Sequence, residues 1–274
     1  MNEESLLAGL PRKHRSLVLG IGDDCAIYRP RAGEELVFTT DLFVEGVHFG
    51  ALDAEALGRR ALARSLSDIA AMGATPRFCL VALTLPKWAD ERWMAAFYDG
   101  LLKLAEQTNT ALAGGDLSHG KQLVCDVMVC GSVPQGKALR RDRAKPGDAI
   151  YVSGPLGGWR YRPTLTPRLD EGKKLLGKAH ACMDISDGLA IDLHRLCVAS
   201  KVSAALDEVP LLEGATLKQA LHDGEDYELL YTAPPRIRVP GIRIGVIQKG
   251  NPGAIFLQGK PLQPSGYDHF RNRT

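Results

Sequence analysis

The chain has 274 residues, 45% of them hydrophobic, which is enough for a mostly aliphatic core and long enough for two domains. Its 34 basic and 32 acidic residues leave a net charge of +2, a balance that gives no support for nucleic acid as a partner. The six cysteines show neither Cys-x-x-Cys nor a zinc spacing, and no run approaches the ~18 apolar residues of a membrane span. The cysteines therefore read as buried thiols in a reducing compartment. Met1 is followed by Asn2-Glu3-Glu4, not by a basic start and an apolar run, so neither a signal peptide nor a membrane partner is expected and the expected setting is cytoplasmic.

In chain order, residues 36–41 read as a strand ending at a carboxylate. Residues 54–72 read as a helix capped by Asp53 and Gly73, with Leu57, Ala61, Ser65 and Ile69 as its packing stripe. Residues 78–85 form a continuous apolar run, the pattern of a buried strand. A second helix is predicted over 90–107, entered after Pro86. Ala111-Leu112-Ala113 leads into Gly114-Gly115-Asp116, and 123–133 is a strand. Pro134, Gly136, Pro146 and Gly147 then surround the basic run Arg140-Arg141-Asp142-Arg143, and this shift in composition places a boundary between domains 1–136 and 137–274. The second half restarts with a strand at 148–153 and a Gly-rich turn at 154–158. A helix at 189–200, strands at 228–232, 242–247 and 254–257, and the turn Gln258-Gly259-Lys260 follow. Strands and helices mix without a strict βαβα repeat, which favours an α+β fold.

The chemistry lies in acidic residues that arrive with Gly, Ser or Thr. They are Gly22-Asp23-Asp24, Thr39-Thr40-Asp41, Ser67-Asp68, Gly114-Gly115-Asp116, Asp184-Ile185-Ser186-Asp187-Gly188 and Gly224-Glu225-Asp226. Small neighbours let backbone approach a ligand, and carboxylates bind hard cations, so the set points to Mg²⁺ and phosphate groups. No Walker loop and no Gly-x-Gly-x-x-Gly opening a helix is present, so a nucleotide is expected to be held through metal more than through a lysine-bearing loop.

Each packet alone has a plainer reading. Asp23-Asp24 suits a turn, Gly114-Gly115-Asp116 a hairpin turn, and Glu225-Asp226 surface charge. Asp68 lies four residues after Arg64, the spacing of an exposed helical ion pair. Jointly the packets say more. Asp41 and Asp116 fall where strands are expected to end, Asp184 and Ser186 are two apart on an expected strand, and Asp187-Gly188 opens a helix. Two carboxylates about 4 Å apart repel by on the order of 4 kcal/mol at an effective dielectric of 20, so a convergent set requires cations. Mg²⁺ takes one or two protein carboxylates and completes its shell with water and phosphate. Thr39 and Thr40 add oxygens, and the missing Cys/His set argues against zinc. Arg140, Arg141 and Arg143 are either a solvated run or a phosphate clamp. His48, seven residues after Asp41, is either structural or within reach of the same cleft. Gly266-Tyr267-Asp268-His269-Phe270 is either a docked tail or a ring stacked on an aromatic substrate.

These segments resemble the thiamine-monophosphate kinase family, in the superfamily that includes aminoimidazole ribonucleotide synthetase. The resemblance is carried in order by GIGDDCA, TTDLFVEGVHF, ALARSLSDIAAMGA, LAGGD, ALRRDRAKPGD, MDISDGL, DGEDYEL and GYDHF, from Gly20 to Phe270. It implies a two-domain α+β fold like that of aminoimidazole ribonucleotide synthetase. An N-terminal α/β domain dimerises, and a smaller, shortened C-terminal α+β domain completes the ATP and substrate site. It implies a homodimer that transfers the γ-phosphate of ATP to thiamine monophosphate, giving thiamine diphosphate and ADP. By the same resemblance Asp24, Thr39, Thr40, Asp41, Asp68, Asp116, Asp184 and Asp187 are expected Mg²⁺ ligands. Gly115, Arg141 and Ser186 are expected at ATP, and His48, Glu225 and Tyr267 at thiamine monophosphate. Asp41, Asp116 and Arg141 are the expected catalytic residues, with Arg141 adding charge stabilisation.

The nucleophile is already a phosphate oxygen, so in-line, Mg-assisted transfer needs no strong base and no covalent intermediate. Two departures stand out. The family usually carries a longer helical stretch between Gly158 and Asp184, and Asp223 stands where a second Gly is commoner. The N-terminal reactive Cys of selenophosphate synthetase and the C-terminal Cys of the hydrogenase-maturation member are missing here. The GYDHF tail disfavours aminoimidazole ribonucleotide synthetase itself. A non-catalytic nucleotide or thiamine-phosphate binding protein would have lost metal ligands, and by motif none is lost.

Overall fold

A computed structural model describes residues 10–11, 13–22, 24–50, 53–158 and 164–268. They form two compact units. One takes the described residues up to Ile69 with Thr75–Gln135 and Thr164–Thr166, and the other takes Ala70–Ala74 and the rest.

In the first unit, β1 (Glu34–Val44), β2 (Thr75–Leu85), β3 (Ala111–His119) and β4 (Val124–Pro134) make a sheet in the order β1-β4-β2-β3. Only β2 and β3 run parallel, because helix α2 (Glu91–Thr108) carries the chain back between them. Helix α1 (Ala54–Ala71) starts where the Asp53 carboxylate accepts the Ala56 amide at 2.9 Å. Asp90 caps α2 in the same way, accepting the Trp93 amide at 2.8 Å. The stripe Leu57, Ala61, Ser65 and Ile69 is buried, and the Ser65 hydroxyl donates to the Val127 carbonyl at 2.8 Å, fixing α1 to β4. The helices touch backbone to backbone. A Cβ on Gly58 would lie 1.8 Å from the Phe97 carbonyl, and one on Gly100 would lie 1.8 Å from that of Glu55.

Alternation gives the sheet two different faces. Cys79, Val81, Leu83 and Leu85 of β2 and Cys125, Val127 and Val129 of β4 are buried on the helix side. The other face carries Leu80, Ala82, Asp126 and Met128, with Phe38 and Leu42 of β1 exposed at 64% and 56%. Two expectations fail here. β1 runs on to Val44 and β3 to His119, so Asp41 and Asp116 sit inside strands rather than at strand ends. Gly114-Gly115 is accordingly strand and not a hairpin turn. A Cβ on Gly115 would meet the Val81 carbonyl at 1.8 Å, so the glycine answers to its own sheet neighbour.

The second unit holds β5 (Ala149–Val152), β6 (Ala181–Asp184), β7 (Ser203–Leu206), β8 (Leu229–Ala233), β9 (Ile242–Gln248), β10 (Ile255–Leu257) and β11 (Lys260–Pro261). They form one mixed sheet in the order β11-β10-β7-β9-β5-β8-β6, larger than that of the first unit. Helices α3 (Leu169–Leu175), α4 (Leu189–Ser200) and α5 (Leu217–His222) accompany it. Leu189, Leu193, Leu196 and Cys197 of α4 pack with Ile150, Val152, Leu230, Ile244 and Ile247 of the sheet. β6 ends at Asp184, so Ser186 lies beyond it and the two do not share a strand face as expected. The architecture is α+β. Among the described residues no helix is long and apolar enough to cross a membrane.

Candidate functional site

The first unit contains a cavity of about 730 Å³ whose lining includes Asp24, Gly115, Asp116, Asp126 and Met128. It lies between the sheet face away from the helices and the segment bearing Leu17, Ile21 and Tyr28, whose ring is 5.4 Å from that of Phe78. Ala82 is in register with Asp116 on one side and Asp126 on the other, so the two carboxylates flank a residue with almost no side chain. Asp24 stands on a short hairpin that pairs Leu19 with Ile27, the Ile27 amide donating to the Leu19 carbonyl at 2.9 Å. Its neighbour Asp23 lies outside the described residues.

The two threonines of the Thr39-Thr40-Asp41 packet face opposite ways, as successive strand residues must. Thr39 donates its hydroxyl hydrogen to Asp68 of α1 on the helix-covered face, and Asp41 shares its parity. Thr40 donates to Asp126 on the other face. The six expected ligands of this unit thus divide into Thr39, Asp41 and Asp68 on the helix side and Thr40, Asp116 and the hairpin's Asp24 on the cavity side. Asp126 was missed from sequence because no Gly, Ser or Thr precedes it. The alternation of Cys125, Val127 and Val129 could have revealed it as facing away from the core.

Arg64 is buried, with its guanidinium 5.0 Å from the centre of the Phe43 ring, so it is not half of an exposed ion pair. His48 closes a tight turn. Its Nδ1 accepts the Val44 amide at 3.0 Å, which assigns the ring hydrogen to Nε2. Among the described residues no three His, Cys, Asp or Glu side chains are grouped as a closed metal cage. The grouping is of hydroxyl–carboxylate pairs, all hard oxygen, the chemistry that suits Mg²⁺ with one or two protein carboxylates.

In the second unit the expected residues gather on one loop, 185–188. The buried Asp184 ends β6 just before it. The Glu225 amide donates to the Ser186 carbonyl at 2.7 Å, the Tyr227 amide to the Ile185 carbonyl at 2.8 Å, and the Tyr267 amide to the Asp187 carbonyl at 3.0 Å. Glu225 and Tyr227 adopt left-handed φ values of 59° and 51° to make this alignment. Asp226 is not surface charge. It is buried and accepts the amides of Gly157 and Gly158 at 2.9 Å and 3.0 Å. His269 and Phe270 of the tail motif lie outside the described residues.

Two residues not singled out from sequence hold the loop. Asp192, on the first turn of α4 and fully buried, accepts the amides of Ser186 and Asp187 at 3.1 Å and 3.0 Å. Arg195 donates to Asp192 at 2.8 Å and to Asp187 at 2.5 Å. Burial pushes the Asp192 carboxyl up to about 6 against the opposing pull of these donors. In the basic run Arg140 is paired with Asp142 at 2.9 Å, whereas the Arg141 and Arg143 side chains are exposed. The Arg141 carbonyl accepts the Ser200 hydroxyl at 2.8 Å.

Residues 22–133 match the family model described as AIR synthase related protein, N-terminal domain. The thiamine-monophosphate kinase of Haemophilus influenzae is 36% identical over 308 aligned positions that take in 93% of each chain. Those positions outnumber the 274 residues here, so that relative carries segments this chain lacks. The solved thiamine-monophosphate kinase of Stenotrophomonas maltophilia is 37% identical, with a TM-score of 0.83 over 94% of this chain and 95% of that one. A structure described as AaThiL complexed with AMPPCP and TMP is 31% identical, with a TM-score of 0.81 over 91% and 92%.

Proposed function

We infer the function from one premise: the chain belongs to the thiamine-monophosphate kinase family. The protein transfers the γ-phosphate of ATP to thiamine monophosphate, giving thiamine diphosphate and ADP, the last step of thiamine diphosphate biosynthesis. The observation that carries this reading is likeness over more than nine-tenths of the chain to a relative complexed with AMPPCP and TMP. The eight motifs in order support it.

The roles of individual residues are part of the proposal. In the first unit Asp24, Thr39, Thr40, Asp41, Asp68 and Asp116 offer oxygens to Mg²⁺. Thr39 and Thr40 spend their hydrogens on carboxylates, so their oxygen lone pairs stay available to a cation. Gly115 brings backbone close to ATP, and His48 meets thiamine monophosphate. In the second unit Asp184 and Asp187 offer further metal oxygens. Ser186 and Arg141 bind ATP, with Arg141 meeting charge that develops on the transferred group. Glu225 and Tyr267 hold thiamine monophosphate. Bound Mg²⁺ supplies the neutralising charge that lets two anionic reactants approach in line.

The acceptor oxygen arrives ionised, so no side chain has to abstract a strongly held proton. Five of the six cysteines are buried, and burial pushes the Cys79 thiol up to about 12, which supports direct transfer without a thiol intermediate. These thiols also favour a reducing, cytoplasmic setting. The exposed Phe38 and Leu42 on the sheet face away from the helices support a homodimer paired through the first unit.

The test is incubation of the purified protein with ATP, Mg²⁺ and thiamine monophosphate, followed by chromatography. Thiamine diphosphate is expected in step with ADP. Binding of both substrates without product would overturn the assignment in favour of a sensor.

A further inference from the structure

Loop 185–188 has almost no backbone group to spare. Its inward amides at Ser186 and Asp187 both end on one oxygen of Asp192, at 3.1 Å and 3.0 Å. The other Asp192 oxygen takes the Arg195 guanidinium at 2.8 Å. The carbonyls of Ile185, Ser186 and Asp187 go to the amides of Tyr227, Glu225 and Tyr267. Ser186 and Asp187 therefore carry nucleotide-side groups in their side chains and hold the acceptor-side residues Glu225 and Tyr267 on their carbonyls, while the Ile185 side chain anchors the loop in the core. All are referred to one buried carboxylate.

The arm bearing Tyr267 fits this frame closely. A Cβ on Gly266 would lie 2.4 Å from the Asp187 carbonyl oxygen and 2.3 Å from Ile191. One residue earlier, His222 Nδ1–H donates to the Ser265 carbonyl at 2.9 Å, tying the arm to the end of α5. The arm reaches the loop only because position 266 has no side chain.

We propose that Asp192 is a positioning residue for phosphate transfer, fixing one backbone frame on which the nucleotide contacts and the thiamine monophosphate contacts are both built. This rests on the function inferred above and deepens it. The carboxylate is needed for a geometric reason. An amide at position 192 has one acceptor oxygen instead of two. If that oxygen faces the loop amides, its NH₂ meets the Arg195 guanidinium donor to donor. If it faces Arg195, the NH₂ opposes the two loop amides. Either way one side of the frame is released, and misplacement of reacting groups by about 1 Å costs on the order of 100-fold in rate.

The experiment compares wild type, Asp192→Asn and Gly266→Ala, each checked for native circular dichroism. It uses steady-state kinetics and calorimetric binding of AMPPCP with Mg²⁺ and of thiamine monophosphate alone. In Asp192→Asn both dissociation constants are expected to rise several-fold and kcat to fall about 100-fold. In Gly266→Ala only thiamine monophosphate binding is expected to weaken, by about tenfold, with AMPPCP binding unchanged. An Asp192→Asn protein that melts earlier but keeps both affinities and kcat would show a purely structural role and overturn the proposal. If that variant does not fold, Gly266→Ala decides: unchanged thiamine monophosphate affinity would show that the arm is not seated on the loop. Wild type that binds both ligands without making thiamine diphosphate would instead refute the function and not the frame.

Discussion

The two units present their candidate residues by different means. In the first, most side chains stand on long strands and a helix, where strand parity decides which face each oxygen reaches, and only Asp24 and His48 stand on turns. In the second, the same kinds of residue hang from a loop and two crossing segments whose backbone hydrogen bonds are almost fully spent on one another. A strand-mounted site fails one side chain at a time, with its scaffold intact. A loop-mounted site fails as a group when one support is withdrawn.

The sharpest way to break this contrast is Asp41→Asn. In the first unit, loss of one carboxylate is expected to lower turnover by about 10²–10³-fold, the scale of a lost electrostatic contact, with the fold unchanged by circular dichroism. A normal rate at limiting Mg²⁺ would remove Asp41 from the ligand set. In the second unit the support itself is the target. Glu228 is fully buried and held by Arg168 at 2.6 Å and 2.8 Å, with the Ser153 hydroxyl donating to it at 2.5 Å. Arg168→Met leaves that carboxylate buried with its cation gone, so urea denaturation should show a loss of about 3 kcal/mol. A change below about 0.5 kcal/mol would mean that the site relaxes as surface positions do.

Gly115→Ala tests the claim that this glycine serves the sheet. The new methyl would press on the Val81 carbonyl, and overpacking of this kind costs about 2 kcal/mol in stability. Wild-type stability with weakened ATP binding would show that the glycine serves the ligand alone and not the sheet as well. The mildest test is chemical. Cys25 is exposed and lines the cavity beside Asp24, whereas burial pushes Cys79 and Cys197 up to about 12 and Cys130 up to about 11. Thiol reactivity needs the thiolate, so at pH 8 one equivalent of maleimide should react fast, at Cys25, and the rest slowly. AMPPCP with Mg²⁺ should slow that one equivalent. Several fast thiols would contradict the burial described.

The sequence made long periodic elements legible and short ones not. The helix at 189–200 emerged with the bounds expected, because an apolar stripe over three turns is hard to mistake. α3 has seven residues and β6 and β7 have four each, too few to show a period. α5 was readable all the same: Thr216 and Gln219 form a capping box, a local signal that was overlooked. Asp41 and Asp116 lie inside strands and not at strand ends as expected, because Gly and Asp resemble turns locally, while the pairing of Gly115 with Val81 joins positions 34 residues apart. The candidate residues carried by Gly- and Ser-rich motifs can be picked out by eye. Asp192 and Arg195 cannot, since their role exists only once α4 is folded against the loop.

The most direct test is the rate of thiamine diphosphate formation as free Mg²⁺ rises at constant MgATP. If carboxylates and hydroxyls of this chain recruit cations of their own, the rate should keep climbing after all ATP is already complexed. A rate that levels off as soon as MgATP has formed would contradict that.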